Sequence, residues 1–490
     1  MAPRTPEPVR FGTDGWRGII AREFTFQNVA RVSQALALFL RDRRRRKLDL
    51  YRAWRAPYRG ASHGVVIGYD TRFLSKEFAH EAGRVLAGNG VPVKVADRAL
   101  PTPALSYAVE QHQAACGVMV TSSHNPAAYN GYKVKAEFGG SAPPAYTAAV
   151  EARLKRARHI QRSAGELETC DFTTPYLARL RELVDLDLLR GAKLRVVIDA
   201  MHGSGAGCLA EILKPLGVPF VEVRAKADPT FGGDSPEPTP QNLTPLKAVV
   251  RAQSKRAKAG ELLIGVVTDG DADRVGGMDE HGEVLTSHAC YSLILRHLVE
   301  RGGTGRVVKS FALTDLADRI AERVGLEVDQ VAIGFKHIAE RMLNSDVLIG
   351  GEESGGIAVK GHVMERDGVL MALLLLEVAA KHGKPLGRVL AGLMDEFGQH
   401  HYARRDLHLE ARLAVVERLL ASPPMEVGGR AVVRVETLDG VKLRFARGWL
   451  MFRASGTEPL LRVYCEMDSP EAVDEVLAAA EELVHAPAPR

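Results

Sequence analysis

Two short stretches of the chain carry residue types that could do chemistry together. In Thr121-Ser122-Ser123-His124-Asn125-Pro126, two serine hydroxyls and an imidazole follow directly on the apolar run Gly117-Val118-Met119-Val120. A strand that ends in a polar turn holds a side chain firmly and leaves backbone N–H groups free around it, a setting that suits a nucleophile. The same residues would also serve as a serine-rich turn whose hydroxyls only satisfy backbone donors. In Thr268-Asp269-Gly270-Asp271-Ala272-Asp273-Arg274, three carboxylates stand at alternate positions after the apolar run Leu262 to Val267. They would repel one another unless a cation sat among them, and oxygen-only ligands of this kind suit a hard divalent ion, most naturally Mg2+. A calcium loop would place its last ligand at Glu280. Arg274, however, stands where that loop needs glycine, and Val266-Val267 reads as strand where it needs helix. A solvated acidic turn is the other alternative.

Two more stretches suit anions or polyols by composition. Arg453-Ala454-Ser455-Gly456-Thr457-Glu458-Pro459, with Arg462 beyond it, combines guanidinium groups, hydroxyls and a glycine that lets backbone N–H groups approach a ligand. That is a phosphate cradle by chemistry. Gly350-Gly351-Glu352-Glu353-Ser354-Gly355-Gly356 sets carboxylates and a hydroxyl on a pliable backbone, which suits adjacent sugar hydroxyls. Glycine-flanked polar turns are also common as purely structural connections.

The elements that must position these groups are legible as repeated units. Gly64 to Asp70, Leu194 to Asp199 and Arg306 to Ser310 each read as a short β-branched strand followed by a polar turn and a helical pattern. Such alternation marks βα units in mixed or parallel sheets, here in three similar α/β domains in tandem. The turn Met201-His202-Gly203-Ser204-Gly205-Ala206-Gly207 falls short of the dinucleotide-binding fingerprint and reads as a tight strand-to-helix connection. The basic run Arg41 to Lys47, continuing through Tyr51, Trp54 and Tyr58 to Gly60, mixes cations and aromatics as nucleic-acid binders do. It reads as a solvated helix end and surface loop.

Composition is that of an ordinary soluble globular chain: 490 residues, 46% hydrophobic and 26% charged, enough for three or four domains with their own cores. Five cysteines without paired spacing argue against a disulfide framework and for a reducing, cytoplasmic setting. A net charge of +5 implies no obligate nucleic-acid partner. Met1 to Pro8 has no apolar core for a signal peptide, and the longest apolar run, Val369 to Leu376 inside an expected helix, is too short to cross a bilayer, so no membrane partner is expected.

Taken in chain order, Phe11-Gly12-Thr13-Asp14-Gly15-Trp16-Arg17-Gly18, Thr121 to Pro126, Asp269 to Arg274, Gly351 to Gly356 and Arg453 to Pro459 resemble the signature set of the α-D-phosphohexomutases. That family holds phosphoglucomutases, phosphomannomutases and phosphoglucosamine mutases, and the resemblance spans essentially the whole chain. It implies three tandem similar α/β domains with mixed sheets plus a C-terminal α+β phosphate-binding domain, expected at 1–161, 162–303, 304–400 and 401–490. Ser123 is implied as the phosphorylated serine, completing a magnesium site with Asp269, Asp271 and Asp273. Ser122 stands where the family often has alanine, so the choice between the two serines rests on motif register. Arg17 and Arg274 are implied to steady the transferring phosphoryl group, and Lys133 to act as general base or acid, with His124 as the runner-up. Glu352, Ser354 and Lys336 are implied to contact the sugar, and Arg453, Ser455, Gly456, Thr457 and Arg462 the phosphate that does not react.

The activity so implied interchanges hexose 1-phosphate and 6-phosphate through a phosphoserine and a bound bisphosphate, with glucose 1,6-bisphosphate as activator. Glucose is the expected sugar and mannose the next. Phosphoglucosamine mutases tend to end the sugar loop with a histidine, where this chain has Gly356. The protein is expected as a monomer or homodimer. A metal-dependent phosphatase or a non-catalytic carbohydrate-binding protein are the readings from other classes.

Overall fold

The computed structural model of the protein describes residues 9–12, 14–47, 51, 58–455 and 459–485. Four main sheets follow one another along the chain. The first has six strands in the order Trp16–Ile19, Tyr129–Lys135, Cys116–Val120, Val65–Tyr69, Val93–Ala96 and Glu168–Cys170. Its inner pairings are parallel, while Tyr129–Lys135 runs antiparallel to both of its neighbours. The central strands Val65–Tyr69 and Cys116–Val120 are buried along their whole length, which explains why they read as continuous apolar runs without alternation. Helix Phe26–Arg41, capped by the Thr25 hydroxyl accepting from the Asn28 N–H, lays Val29, Val32, Leu36 and Phe39 into this core.

The second sheet is again mixed, with Leu194–Asp199 parallel to Phe220–Val223 and to Leu262–Thr268 and with Val275–Met278 antiparallel beside it. The third sets Arg306–Ser310 parallel to Val328–Val331 and Val347–Gly351, then turns back through Ile357–Val359. Helix Gly368–His382 carries the long apolar run. Leucines and alanines bury nearly its whole girth between the second and third sheets, Asp367 caps its start, and left-handed Gly383 ends it. No helix among the described residues is long and apolar enough to cross a membrane.

The fourth sheet is of a different kind: five strands, all antiparallel, with Trp449–Ala454 and Leu460–Met467 at its centre. Leu450, Phe452, Leu461 and Val463 pack with Val473, Val476 and Leu477 of helix Pro470–His485 into a core of their own. Three α/β units and one α+β unit are thus present, as the motif order implies.

The basic run at the end of the first helix departs from its expected solvation. Arg43 and Arg44 are exposed, but Arg45 is 1% exposed, pairs with Glu137 at 2.7 Å and lies 5.1, 5.3 and 4.9 Å from the rings of Phe39, Tyr51 and Tyr58. A guanidinium enclosed by three aromatic faces and neutralised by one carboxylate pins this segment to the first domain. Trp54 lies outside the described residues.

Candidate active site

Three of the four sequence stretches converge at the ends of the strands that precede them, and the Arg453 stretch stands on the fourth sheet. Ser123 follows the strand Cys116–Val120 and adopts a left-handed backbone, φ +50°, which costs energy for any residue with a side chain. The conformation turns its hydroxyl across to the second domain, where it donates to Asp269 Oδ2 at 3.0 Å. His124 Nδ1 lies 3.2 Å from the same serine oxygen. Ser122 points elsewhere: its Oγ is buried and meets no hydrogen-bond partner among the described residues.

Asp269, Asp271 and Asp273 are fully buried, and one carboxylate oxygen from each lies within 4.8 Å of the others. Their loop is gripped from three sides. Thr102, which opens helix Thr102–Gln111 of the first domain, donates its N–H to the Asp271 carbonyl at 2.9 Å and its hydroxyl to Asp271 Oδ2 at 2.7 Å. From the glycine turn of the second domain, the Ser204 N–H reaches the Gly270 carbonyl at 3.0 Å. From the third domain, the Gly368 N–H donates to the carbonyl of Ala272, itself left-handed at φ +56°. Gly270 has to be glycine, since a Cβ there would lie 2.6 Å from the Ser123 carbonyl oxygen.

Cations ring this acidic floor. Lys133 Nζ, buried, lies 2.9 Å from Asp14 and from Asp271 and 3.4 Å from Asp273. Burial works against its charge, but those three carboxylates outweigh it and hold the ammonium well above its ordinary pKa. Arg274 reaches Glu237 at 3.2 Å and sits about as far as an ion pair allows from Asp269 and Asp273, at 4.0 and 3.9 Å. Arg17 donates to the Asn125 side chain at 2.6 Å. Burial together with the charges of Arg274, Arg17, Lys133 and Arg72 pushes His124 well below its usual pKa, leaving a neutral imidazole beside the serine. Burial and the other two aspartates raise Asp269, whereas Asp271, despite its burial, is drawn down by Lys133 and Thr102.

The sugar loop meets this cluster through Glu352, which is buried 3.5 Å from Arg366 and has its pKa pushed up to about 7 by burial. Ser354 is half-buried on the same loop, and half-buried Lys336 stands in the first turn of helix Phe335–Asn344. The cradle residues lie apart, on the fourth sheet. Arg453 pairs with Asp439 at 3.0 Å, Arg462 is its cross-strand neighbour, and Ser455 closes the strand end by donating its N–H to the Leu460 carbonyl at 2.8 Å. Gly456 and Thr457 lie outside the described residues.

Four phosphoglucomutase/phosphomannomutase family models match in order: alpha/beta/alpha domain I over residues 8–161, domain II over 174–282, domain III over 286–397 and the C-terminal domain over 409–483. The chain belongs to this family. It is therefore a phosphohexomutase, an isomerase that moves phosphate within a sugar. A phosphoglucomutase/phosphomannomutase of Thermococcus kodakarensis is 31% identical over 95% of this chain and 96% of its own. A phosphoglucosamine/phosphogalactosamine mutase of Sulfurisphaera tokodaii is 27% identical over 93% and 94%. The crystal structure of a protein described as a phosphomannomutase of Thermus thermophilus, 37% identical over 98% of this chain and all of that one, superposes with a TM-score of 0.84.

The divalent ion on which such mutases depend fits the residues present. Asp271 Oδ1 and Asp273 Oδ1 are buried without a hydrogen-bond partner among the described residues, so each has an oxygen to give to a cation. Sequence reasoning missed several groups that tie these residues together. Arg366 joins Asp14 at 2.9 Å and Asp273 at 2.7 Å, so one guanidinium connects the first three domains. Asp14, Thr102 and Arg72 were likewise passed over as partners. Asp14 stood inside a motif, but its Lys133 and Arg366 contacts leave no trace in local spacing.

Proposed function

We propose that this phosphohexomutase interconverts glucose 1-phosphate and glucose 6-phosphate, with mannose phosphates as the second substrates, through phosphorylated Ser123 and a bound 1,6-bisphosphate. The observation that carries the reading is the Ser123 hydroxyl aimed at Asp269 on the rim of three buried carboxylates, while the Ser122 hydroxyl faces none of them. Asp269, Asp271, Asp273 and the Ser123 oxygen would hold Mg2+, which neutralises charge on the phosphoryl group in flight.

In the forward half-reaction, a sugar hydroxyl oxygen bonds to the phosphorus as the bond from phosphorus to Ser123 Oγ breaks. The hydroxyl proton must end on Ser123 Oγ, the leaving oxygen, and His124, a neutral imidazole 3.2 Å from that oxygen, is placed to relay it there. Lys133, which the resemblance implies as the general base or acid, is held protonated by Asp14, Asp271 and Asp273 and serves instead as their counter-charge. Arg17 and Arg274 steady the phosphoryl oxygens. The resulting glucose 1,6-bisphosphate turns over and returns its other phosphate to Ser123, and the same compound added in trace amounts recharges the serine. Glu352, Ser354 and Lys336 hold the sugar; Arg453, Ser455, Gly456, Thr457 and Arg462 hold the phosphate that does not react. The division into units at 1–161, 162–303, 304–400 and 401–490 belongs to the same proposal and is supported by the four sheets, with the edge strand Glu168–Cys170 of the first sheet reaching past its first limit.

A glucosamine phosphate is the second reading, favoured by the Sulfurisphaera tokodaii relative. Against it, a Cβ at Gly356 would lie 2.2 Å from Arg366 Cδ, so the end of the sugar loop is filled by that arginine where phosphoglucosamine mutases tend to carry histidine. Steady-state turnover of glucose, mannose and glucosamine 1-phosphates with Mg2+ and trace bisphosphate decides the matter. We expect kcat/KM to fall in that order, and a preference for the glucosamine ester overturns the assignment.

A further inference from the structure

Arg72 is the most heavily engaged side chain near the site, although no sequence motif of the reaction includes it. It is fully buried, and a guanidinium has five N–H donors in a fixed fork. All five are used. Nε bonds Asp70 Oδ2 at 3.1 Å, Nη1 bonds the carbonyls of Pro126 at 2.9 Å and Tyr129 at 3.1 Å, and Nη2 bonds those of Ser123 and Asn125, each at 2.6 Å. Four of the five acceptors are therefore backbone oxygens, three in the turn that carries Ser123 and His124 and one at the start of the strand that follows it.

Asp70 also holds the other side of Ser123. The Thr121 hydroxyl donates to Asp70 Oδ2 at 2.6 Å and accepts the Ser123 N–H at 2.9 Å. Both the N–H and the C=O of the left-handed residue are thus tied back to one buried carboxylate, which Ser75 and the Arg72 N–H further fix through Oδ1 at 2.7 and 3.0 Å. A sparsely populated backbone conformation persists only where its surroundings over-determine it, and these ties supply that constraint. The Arg72 guanidinium also lies 4.8 Å from the Phe231 ring of the second domain, so the clamp is braced against the unit that carries the aspartates.

We propose that Arg72 and Asp70 form a positioning clamp that sets the Ser123 hydroxyl for phosphoryl transfer without touching substrate. The inference rests on Ser123 being the phosphoryl carrier, and the experiment separates the two. Protein dephosphorylated beforehand is mixed with labelled glucose 1,6-bisphosphate, the label is mapped to peptides, and its rate of transfer is compared with that of Arg72→Lys. Lysine keeps the charge and loses the fork. Expected is label on the peptide bearing Ser123 in both proteins, with transfer and kcat reduced about 100-fold, as for a displacement near 1 Å. KM for glucose 1-phosphate should stay near the parent value, since the cradle on the fourth sheet is untouched. Label absent from Ser123 in the parent overturns the carrier reading. Equal transfer rates, or a raised KM with kcat intact, overturn the clamp alone. Should Arg72→Lys not fold, Thr121→Val removes the other tie, with the same split expected and unchanged kcat overturning the clamp.

Discussion

Lys133 and Lys442 are both shut away from solvent, yet their surroundings drive their protons in opposite directions. Lys133 lies on the floor of the active site among Asp14, Asp271 and Asp273, which keep it charged against the pull of burial. Lys442 lies at the seam between the third and fourth sheets. Its ammonium meets the Phe311 carbonyl at 2.8 Å and the rings of Trp449 and Phe311 at 4.0 and 5.1 Å, and burial, reinforced by Lys309, pushes its pKa down to about 7. What differs is the supply of carboxylates within ion-pair reach. The floor is a lattice of opposite charges drawn from three domains at once. The seam packs Phe311, Ala312, Trp449, Met451 and Tyr464, with the Arg444–Asp315 ion pair and Asp439, which ties the Ile333 N–H to Arg453, beside them. The floor is thus cross-braced by three domains, whereas Arg453 and Arg462 stand on a sheet with its own core.

The comparison breaks most sharply at Ser123. Ser123→Ala should eliminate isomer formation and the phosphate on the resting protein, read by coupled assay and intact mass, while Ser122→Ala keeps most of the turnover. The reverse pattern would place the nucleophile one residue away and leave the Asp269 contact without a purpose. Next in size is the lattice itself. Lys133→Met leaves Asp271 without its ion pair and takes one partner from Asp14 and Asp273, which keep Arg366, and removing one partner of a buried ion pair costs about 3–5 kcal/mol. Urea unfolding without added metal should show a loss of that order, and a loss within experimental scatter would mean the floor is solvated enough not to need its counter-charge.

Much of the floor was legible because its residues are local. Apolar runs ending at Val120 and Val267 point to strands, and a strand end fixes the position of the turn after it, so the serine turn and the three aspartates stand out from spacing, while the choice of Ser123 over Ser122 rests on motif register. The four-unit architecture rests on the same βα alternation for its first three units and on the motif order for its fourth. The clamps were not legible, because each joins residues far apart in the chain: Arg366 meets Asp14 across 352 positions, and Arg72 reaches carbonyls 51 to 57 positions on. Nothing in the local sequence distinguishes those arginines from solvated ones. Arg45 misled for the same reason, since its flanking arginines advertise a wet surface while Phe39, Tyr51, Tyr58 and Glu137 enclose it.

At the cradle the expected effects are smaller and of another kind. Arg453→Ala removes one charged donor, worth about 1.5–3 kcal/mol, so KM for the sugar phosphate should rise about 10- to 100-fold with a lesser change in kcat. A fall in kcat alone would place Arg453 with the floor instead.

A last effect, spread over a pH window, sharpens the lysine comparison directly. Between pH 7 and 10.5 the unfolded chain keeps a proton on Lys442 that the folded protein has released, so unfolding takes up a proton and this residue makes stability rise with pH. Below pH 7 both states are charged and the buried ammonium is a constant cost. Lys442→Met abolishes the titration, although it leaves the Phe311 carbonyl without its donor. The stability of the variant relative to the parent should therefore be most favourable at pH 7 and below and decline steadily toward pH 10.5, as followed by urea unfolding. A difference that stays flat across that window would mean that Asp315 and Glu436 hold the proton on Lys442 against Lys309 and Arg444, as Asp14 and the aspartates do for Lys133. The seam would then be governed by the same electrostatics as the floor.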